Sequence, residues 1–222
     1  MQESGVPVLI AGGGPCGLML ANELGRRGIG ALLVDEKPST AFNPQANATQ
    51  ARTMEHFRRL GFAEEIRSLG LPAEFPTDIA YFTRFTRHEL ARFALPSSGD
   101  AKTKVAGLTG SWSAAELPHR VSQKFVEAVL RRHAERLPGV SVRYGWRLIN
   151  FEETADAVRC EIERVANGER RCVHCRYLVG ADGPRSFVRE RLGFTYVGET
   201  GVIRDFMGGR MHALYVRCPD FY

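Results

Sequence analysis

Short apolar runs mark the beginning of the chain. Residues 6–11 form a continuous apolar stretch that is short enough to predict a buried parallel strand. After a glycine-rich stretch, apolar residues recur at helical spacing until Gly28, which is a typical helix stop. A second apolar run at 31–34 ends on Asp35. This order of strand, turn, helix and strand predicts a βαβ unit with parallel strands.

Further helices are predicted by periodicity and by their stop signals. They cover residues 51–60, which Gly61 ends, and about 63–68. A third begins with Ser122 as a candidate N-cap and ends before Pro138. Its predicted apolar side consists of Phe125, Val129, Leu130 and His133.

Alternation and turn residues predict the remaining strands. These strands cover residues 79–85, 89–93, 140–144, 146–152, 157–164 and 172–179. Asn167 and Gly168 predict the turn of a hairpin. Residues 97–116 are rich in glycine, serine and lysine, and so long a connection predicts a functional flap or a disordered segment.

The turn after the first strand contains Gly12, Gly14 and Gly17 in the GxGxxG spacing. The first glycine permits a tight turn, the second lets backbone N–H groups approach a pyrophosphate, and the third lets the helix pack closely. The helix N-terminus adds unpaired N–H donors and the positive end of its dipole. Asp35, about twenty residues further on, is expected to accept hydrogen bonds from the adenosine ribose and to disfavour a ribose phosphate. The pattern predicts a site for FAD or NAD; the alternative is a glycine turn in an unrelated doubly wound sheet.

A second motif follows the last predicted strand, where residues 180–183 read Gly-Ala-Asp-Gly and a helix is expected to start at once. Asp182 is interpreted in two compatible ways. It could cap that helix, or it could lie at the carboxyl end of a strand beside the first turn and bind hydroxyl groups of a cofactor.

Composition narrows the class of protein. The 222 residues are 44% hydrophobic, which suffices for one or two domains, and no signal peptide or membrane span is evident, so a cytoplasmic location is expected. The net charge of +5 comes from scattered arginines interspersed with acids, which argues against nucleic-acid binding. The five cysteines lack framework spacing. Cys172 and Cys175 have metal-like spacing without a second pair, so no metal site is predicted.

Four segments together resemble the FAD-dependent aromatic hydroxylases, the single-component flavoprotein monooxygenases of the para-hydroxybenzoate hydroxylase and phenol hydroxylase type. The segments are the glycine motif with Asp35, the helix at 51–55 ending in Arg59-Leu60-Gly61, Ser122-Gln123, and Gly180-Ala181-Asp182-Gly183 followed by Ser186, Val188 and Arg189. The resemblance implies an α/β fold: a Rossmann-like FAD-binding domain with part of a β-sheet substrate domain.

The resemblance also implies a division of the chain. Residues 1–75 would form the first part of the FAD-binding domain, 76–116 a strand pair and long loop toward the substrate domain, 117–192 the second part of the FAD-binding domain, and 193–222 the start of the substrate-domain sheet. Relatives continue well beyond this length, so the chain is expected to be an N-terminal fragment that binds FAD weakly on its own.

By the same resemblance, one set of residues is expected to contact FAD. The set is Gly12, Gly14, Pro15, Cys16, Gly17, Asp35, Glu36, Gln45, Arg52, Gln123, Asp182 and Gly183. Glu36 and Gln45 stand where relatives often have arginine, and Arg52 is a candidate replacement for the second. No catalytic residue is nominated. Arg204, His212 and Tyr215 are candidates for the substrate pocket and Trp112 for a mobile lid, with structural roles as the alternative.

The function implied is that of an NAD(P)H- and FAD-dependent monooxygenase that hydroxylates a small aromatic, phenolic substrate with molecular oxygen through a flavin hydroperoxide. Other enzymes of the same fold stay open, namely a halogenase, an epoxidase or a quinone-biosynthesis hydroxylase. An NAD-binding dehydrogenase and a non-catalytic flavin-fold fragment are further alternatives. Oligomeric state is not predicted.

Overall fold

The computed structural model describes residues 5–43, 45–84, 87–110, 113–199, 201–203 and isolated positions up to 219. Its helices are α1 (Pro15–Arg26), α2 (Ala51–Leu60), α3 (Ala63–Ser68), α4 (Ser98–Ala106), α5 (Gln123–Glu135) and α6 (Phe187–Arg191). Its strands are β1 (Val6–Ala11), β2 (Ala31–Asp35), β3 (Ala48–Thr49), β4 (Ile79–Phe82), β5 (Glu89–Phe93), β6 (His119–Arg120), β7 (Val140–Tyr144), β8 (Trp146–Glu153), β9 (Val158–Arg164) and β10 (Arg170–Gly180).

Six strands form one sheet in the order β7-β2-β1-β10-β9-β8. The first four are parallel, whereas β9 and β8 pair antiparallel beyond them. Ala11, the last residue of β1, lies between Val34 of β2 and Gly180 of β10. The carboxyl ends of these three strands therefore meet at one edge, where α/β sheets bind ligands. The predicted α/β fold class is confirmed.

Hydrophobic cores cover both faces of the parallel strands. On one face, Ile10 and Leu33 pack with buried residues of α1, α2, α3 and α5. On the other, Leu9 and Leu32 pack with Trp146 and other residues of the β8–β9 hairpin and β10. Adjacent residues of each parallel strand face opposite cores, which explains why β1 and β2 are apolar almost without interruption.

The prediction for residues 97–116 needs correction. This connection contains the nine-residue helix α4, so it is not simply a flap or a disordered segment. Ser97 caps the helix: its Oγ accepts a hydrogen bond from the backbone N–H of Asp100 at 3.1 Å. The glycine- and serine-rich composition predicted a loop here, but serines such as Ser97 and Ser98 are common both in loops and at the start of a helix.

The predicted apolar side of α5 also needs correction. Phe125 is 41% exposed, while Val126, Val129, Leu130 and Ala134 are buried. These four positions form one stripe at helical spacing, and Phe125 lies just beside it. The side chain of His133 is partly exposed and pairs with Glu65.

The helix after the second motif starts later than predicted. α6 begins at Phe187, and Ser186 caps it by accepting a hydrogen bond from the N–H of Arg189 at 3.0 Å. Asp182 is therefore not the N-cap of this helix.

Other predictions fall partly on positions that the structure does not describe. These positions include Phe85, Trp112, Arg204, His212 and Tyr215. Within the described segments, no helix combines the length and the apolar character needed to cross a bilayer. The same segments contain no group of three His, Cys, Asp or Glu side chains suited to a metal ion. The domain boundaries stay predictions.

Candidate functional site

The glycine turn is held against the second motif by direct backbone contact. Gly12 has a φ of +113°, a conformation that side chains disfavour, and a Cβ there would collide with the carbonyl of Ala181. The N–H of Gly12 donates to Val34 O at 2.8 Å, and the N–H of Ala181 donates to Ala11 O at 2.7 Å. The two motifs thus form one continuous edge of the sheet.

The start of α1 is open above Gly14. A Cβ at Gly14 would meet nothing within 4 Å, whereas a Cβ at Gly17 would collide with the carbonyl oxygen of Gly12. Helix α1 begins with Pro15, has no side-chain cap and carries no acidic residue in its first turn. Cys16 is exposed. This positive helix end with space beside it is suited to an anionic group.

Asp35 orders the turn from the neighbouring strand. The carboxylate is buried; Oδ2 accepts the N–H of Gly13 at 2.6 Å and Oδ1 accepts the N–H of Lys37 at 2.8 Å. These bonds fix the carboxylate at the carboxyl end of β2. They leave further lone pairs for hydroxyl donors, because each carboxylate oxygen accepts more than one hydrogen bond.

Tyr144, at the end of β7, is a site residue that the sequence did not indicate. Its hydroxyl donates to the carbonyl of Gly13 at 2.8 Å. Burial raises the pKa of Tyr144 well above its usual value, and the nearby carboxylate of Asp35 raises it further. The hydroxyl therefore stays protonated and remains a donor. No side-chain pattern signals this contact, because the partner of Tyr144 is a backbone carbonyl.

Asp182 presents a carboxylate oxygen without a partner. Its Oδ2 accepts the N–H of Val188 at 3.2 Å, but its Oδ1 is buried and has no hydrogen-bond partner in the described part of the chain. Leaving such an oxygen unpaired is costly, so a ligand hydroxyl there would be stabilised. Gly183 follows directly. Close packing of Gly180 on Val188 holds α6 against the end of β10.

Gln123 begins α5 and ties it to the loop that follows β2. Its backbone N–H donates to Ala46 O at 2.9 Å, and its Nε2 donates to Glu127 Oε1 at 2.7 Å. The other oxygen of the buried Glu127 accepts the N–H of Ala41 at 2.7 Å. Glu127 was not among the predicted site residues; its signal in the sequence is an acidic residue one turn after Gln123, beside the apolar stripe.

Three predicted contact residues outside the two motifs lie on the surface. Glu36 and Gln45 are exposed. Arg52 has an 83% exposed side chain and pairs with Glu55 at 2.5 Å. Their contact with a cofactor stays a prediction.

The fold and the paired motifs define a class of protein, the dinucleotide-binding α/β proteins. Their glycine turn follows the strand that here is β1, which lies between β2 and β10. A family model described as "FAD binding domain" matches residues 5–216. The chain belongs to this FAD binding domain family. The assignment confirms FAD as the predicted cofactor and the resemblance to FAD-dependent aromatic hydroxylases.

The curated relatives are named as hydroxylases. Aklavinone 12-hydroxylase DnrF of Streptomyces peucetius is 35% identical over 239 residues, covering all of this chain and 47% of that protein. A 3-(3-hydroxy-phenyl)propionate/3-hydroxycinnamic acid hydroxylase of Mycobacterium sp. (strain JLS) is 31% identical, covering 91% of this chain and 32% of that protein. The chain thus spans about half or less of the length of these relatives.

Solved structures of flavin-dependent enzymes are also similar to this chain. The flavin-dependent monooxygenase PieE, in complex with FAD and substrate, is similar with a TM-score of 0.79 and 30% identity, over 91% of this chain and 34% of PieE. The rebeccamycin biosynthetic enzyme RebC with reduced flavin has a TM-score of 0.73 and 34% identity, over 85% of this chain and 34% of RebC.

Proposed function

We propose that the chain is the N-terminal, FAD-binding portion of an NAD(P)H-dependent monooxygenase that hydroxylates a phenolic aromatic compound. The observation that carries the proposal is the meeting of the two motifs at the carboxyl ends of β1 and β10, where Gly12 packs on the Ala181–Asp182 backbone. The names of relatives support the reaction, since one is a 3-(3-hydroxy-phenyl)propionate hydroxylase and another a flavin-dependent monooxygenase.

The residues present fit FAD chemically. The uncapped end of α1 and the open space over Gly14 suit a pyrophosphate. Asp35 would accept hydrogen bonds from the adenosine ribose, and the unpaired Oδ1 of Asp182 would accept one from the ribityl chain. Gln123 would lie along the phosphate and ribityl region, near the loop that it ties to α5.

Pro15, Cys16, Gly17 and Gly183 would line the same cofactor at the two motifs, whereas Glu36, Gln45 and Arg52 would approach it from the exposed surface. Bound FAD would supply the redox chemistry, in which NAD(P)H provides two electrons, one oxygen atom of O₂ enters the aromatic ring and the other leaves as water. The part of the protein described here contributes binding and orientation. The boundaries at residues 75, 116 and 192 belong to this proposal, with the last segment leading into a substrate-domain sheet.

Ligand binding by the 222-residue chain tests the cofactor site. We expect FAD to bind with quenched flavin fluorescence, and ADP to compete with it while FMN does not, because the ADP half carries the pyrophosphate and ribose contacts. Asp182→Asn should weaken FAD binding about tenfold and leave ADP binding unchanged, since ADP has no ribityl chain. Asp156→Asn, at an exposed position, is the matched control. Competition by FMN as strong as that by ADP would contradict the proposal.

The reaction is tested with the protein made from the whole reading frame. A purified yellow protein should oxidise NADH or NADPH faster when a phenolic compound is added, and mass spectrometry should find a product heavier by one oxygen atom. NAD(P)H oxidation that phenols do not stimulate, with no oxygenated product, would refute the monooxygenase assignment and leave FAD binding intact.

A further inference from the structure

Tyr144 lies outside both sequence motifs yet contacts the first one directly. Its hydroxyl donates to the carbonyl of Gly13 at 2.8 Å, and its ring packs so closely that a Cβ at Gly13 would lie 3.1 Å from two ring carbons. The guanidinium of Arg131, on α5, lies over the same ring at 4.7 Å from its centroid. The ring is thus held between α5 and the glycine turn.

Two side chains fix successive peptide units of the turn. In the first unit, the N–H of Gly13 donates to Asp35 at 2.6 Å, and the carbonyl of Gly12 faces Gly17 of α1. In the second unit, the carbonyl of Gly13 accepts the hydroxyl of Tyr144. A trans peptide is planar, with its N–H and carbonyl pointing in opposite directions. The bond to Tyr144 therefore sets the direction of the Gly14 N–H, away from β7.

On the basis of the proposed function, we propose that Tyr144 is a positioning residue of the cofactor site, which aims the N–H of Gly14 at a phosphate of FAD by holding the carbonyl of Gly13. Without this bond, a turn of three consecutive glycines would have wide rotational freedom. Asp35 alone fixes only the preceding peptide unit, between Gly12 and Gly13. A pre-aimed donor binds a phosphate more tightly, because less freedom is lost on binding.

The test removes only the hydroxyl, with Tyr144→Phe in the 222-residue chain. Affinities for FAD and ADP are expected to fall about fivefold to tenfold, the equivalent of one hydrogen bond. Affinity for adenosine should change less than about twofold, because adenosine has no phosphate. A structural role alone would weaken the three ligands equally, and that result would overturn the inference. Tyr177→Phe is the matched control, since Tyr177 is 57% exposed on β10.

Nuclear magnetic resonance tests the same contact without a ligand. In the ligand-free chain, Tyr144→Phe should shift the backbone amide resonance of Gly14 and increase the mobility of its N–H vector, because the peptide unit between Gly13 and Gly14 loses its bond to the hydroxyl. The Gly13 N–H, which is bonded to Asp35, and amides in the centre of β1 should change little. An unchanged Gly14 amide would overturn the inference. If wild type binds neither FAD nor ADP, the proposed function fails. If wild type binds both and the Phe variant binds them equally well, only the role of Tyr144 fails.

Discussion

At the scale of single residues, His119 is a buried ionisable side chain on β6, paired with Thr49 of β3. It is 2% exposed, and neither ring nitrogen has a hydrogen-bond partner in the part of the chain that the structure describes. Burial lowers the pKa of His119, and the nearby guanidinium of Arg67 lowers it further. The folded protein therefore holds this histidine neutral.

Stability should consequently fall in mild acid. A histidine whose pKa is lower in the folded state stabilises the fold above the unfolded value, near 6.5, and this stabilisation is lost as the pH falls below it. In urea unfolding, the free energy of unfolding should fall as the pH is lowered through about 6.5, and this group should contribute to the fall. His119→Gln should reduce the slope of the unfolding free energy against pH. His88→Gln, at an exposed position, should leave that slope unchanged. Equal slopes in both variants would contradict the assignment.

The sequence predicted some residue roles and missed others for a physical reason. Asp35 was identified by its distance from the glycines, but its bonds to Gly13 and Lys37 depend on the geometry of the turn. Tyr144 was missed because its partner is a backbone carbonyl, which leaves no signature in side-chain patterns. Only the placement of β7 beside β2 brings the two together.

At the scale of elements, the segment after α4 is attached to α2 and α3 through charged groups. The N–H of Ala115 donates to Glu55 at 2.8 Å, and Arg67 donates to Glu116 at 2.6 Å. Arg67 and Glu116 are both buried, and a further N–H group of Arg67 reaches Leu117 O at 3.1 Å. The segment is therefore held to the helical side of the domain, contrary to the expectation of a flap.

Breaking this ion pair should destabilise the domain strongly. Glu116→Gln leaves the buried guanidinium of Arg67 without a countercharge, which typically costs about 3 kcal/mol. Glu74→Gln, at an exposed position, should change the free energy of unfolding by less than about 0.5 kcal/mol. Urea denaturation of the two variants and wild type measures both values. A Glu116→Gln variant as stable as the control would show that the pair does not hold the segment.

Elements with strong local signals were predicted well. The bounds of β1, α2 and α3 agree with their apolar patterns and glycine stops. Helix α4 was not predicted, because its sequence has little apolar periodicity and it is stabilised by a local cap and a tertiary attachment. Similarly, α6 starts at Phe187 and not directly after Asp182, because Ser186 caps it.

At the scale of the whole molecule, the site exists because distant segments pair. The sequence identified both motifs, but their contact depends on the parallel pairing of β1 with β10, which no local pattern encodes. A position of Asp182 beside the first turn was one of two compatible interpretations of the second motif. The structure adds how closely the two motifs approach each other: the backbone of Ala181 occupies the volume where a side chain at Gly12 would lie.

This contact predicts that Gly12 links folding of the sheet edge to cofactor binding. Gly12→Ala should weaken FAD binding more than about tenfold, because both the positive φ and the collision with Ala181 must be relieved by separating the motifs. Gly28→Ala is the matched control, since Gly28 has a φ of +72° and a Cβ added there would meet nothing within 4 Å. It should cost about 1 kcal/mol of unfolding free energy and leave FAD affinity unchanged. Equilibrium titration with FAD and urea denaturation of both variants separate strain from contact. Equal FAD affinities in the two variants would show that the two motifs act independently.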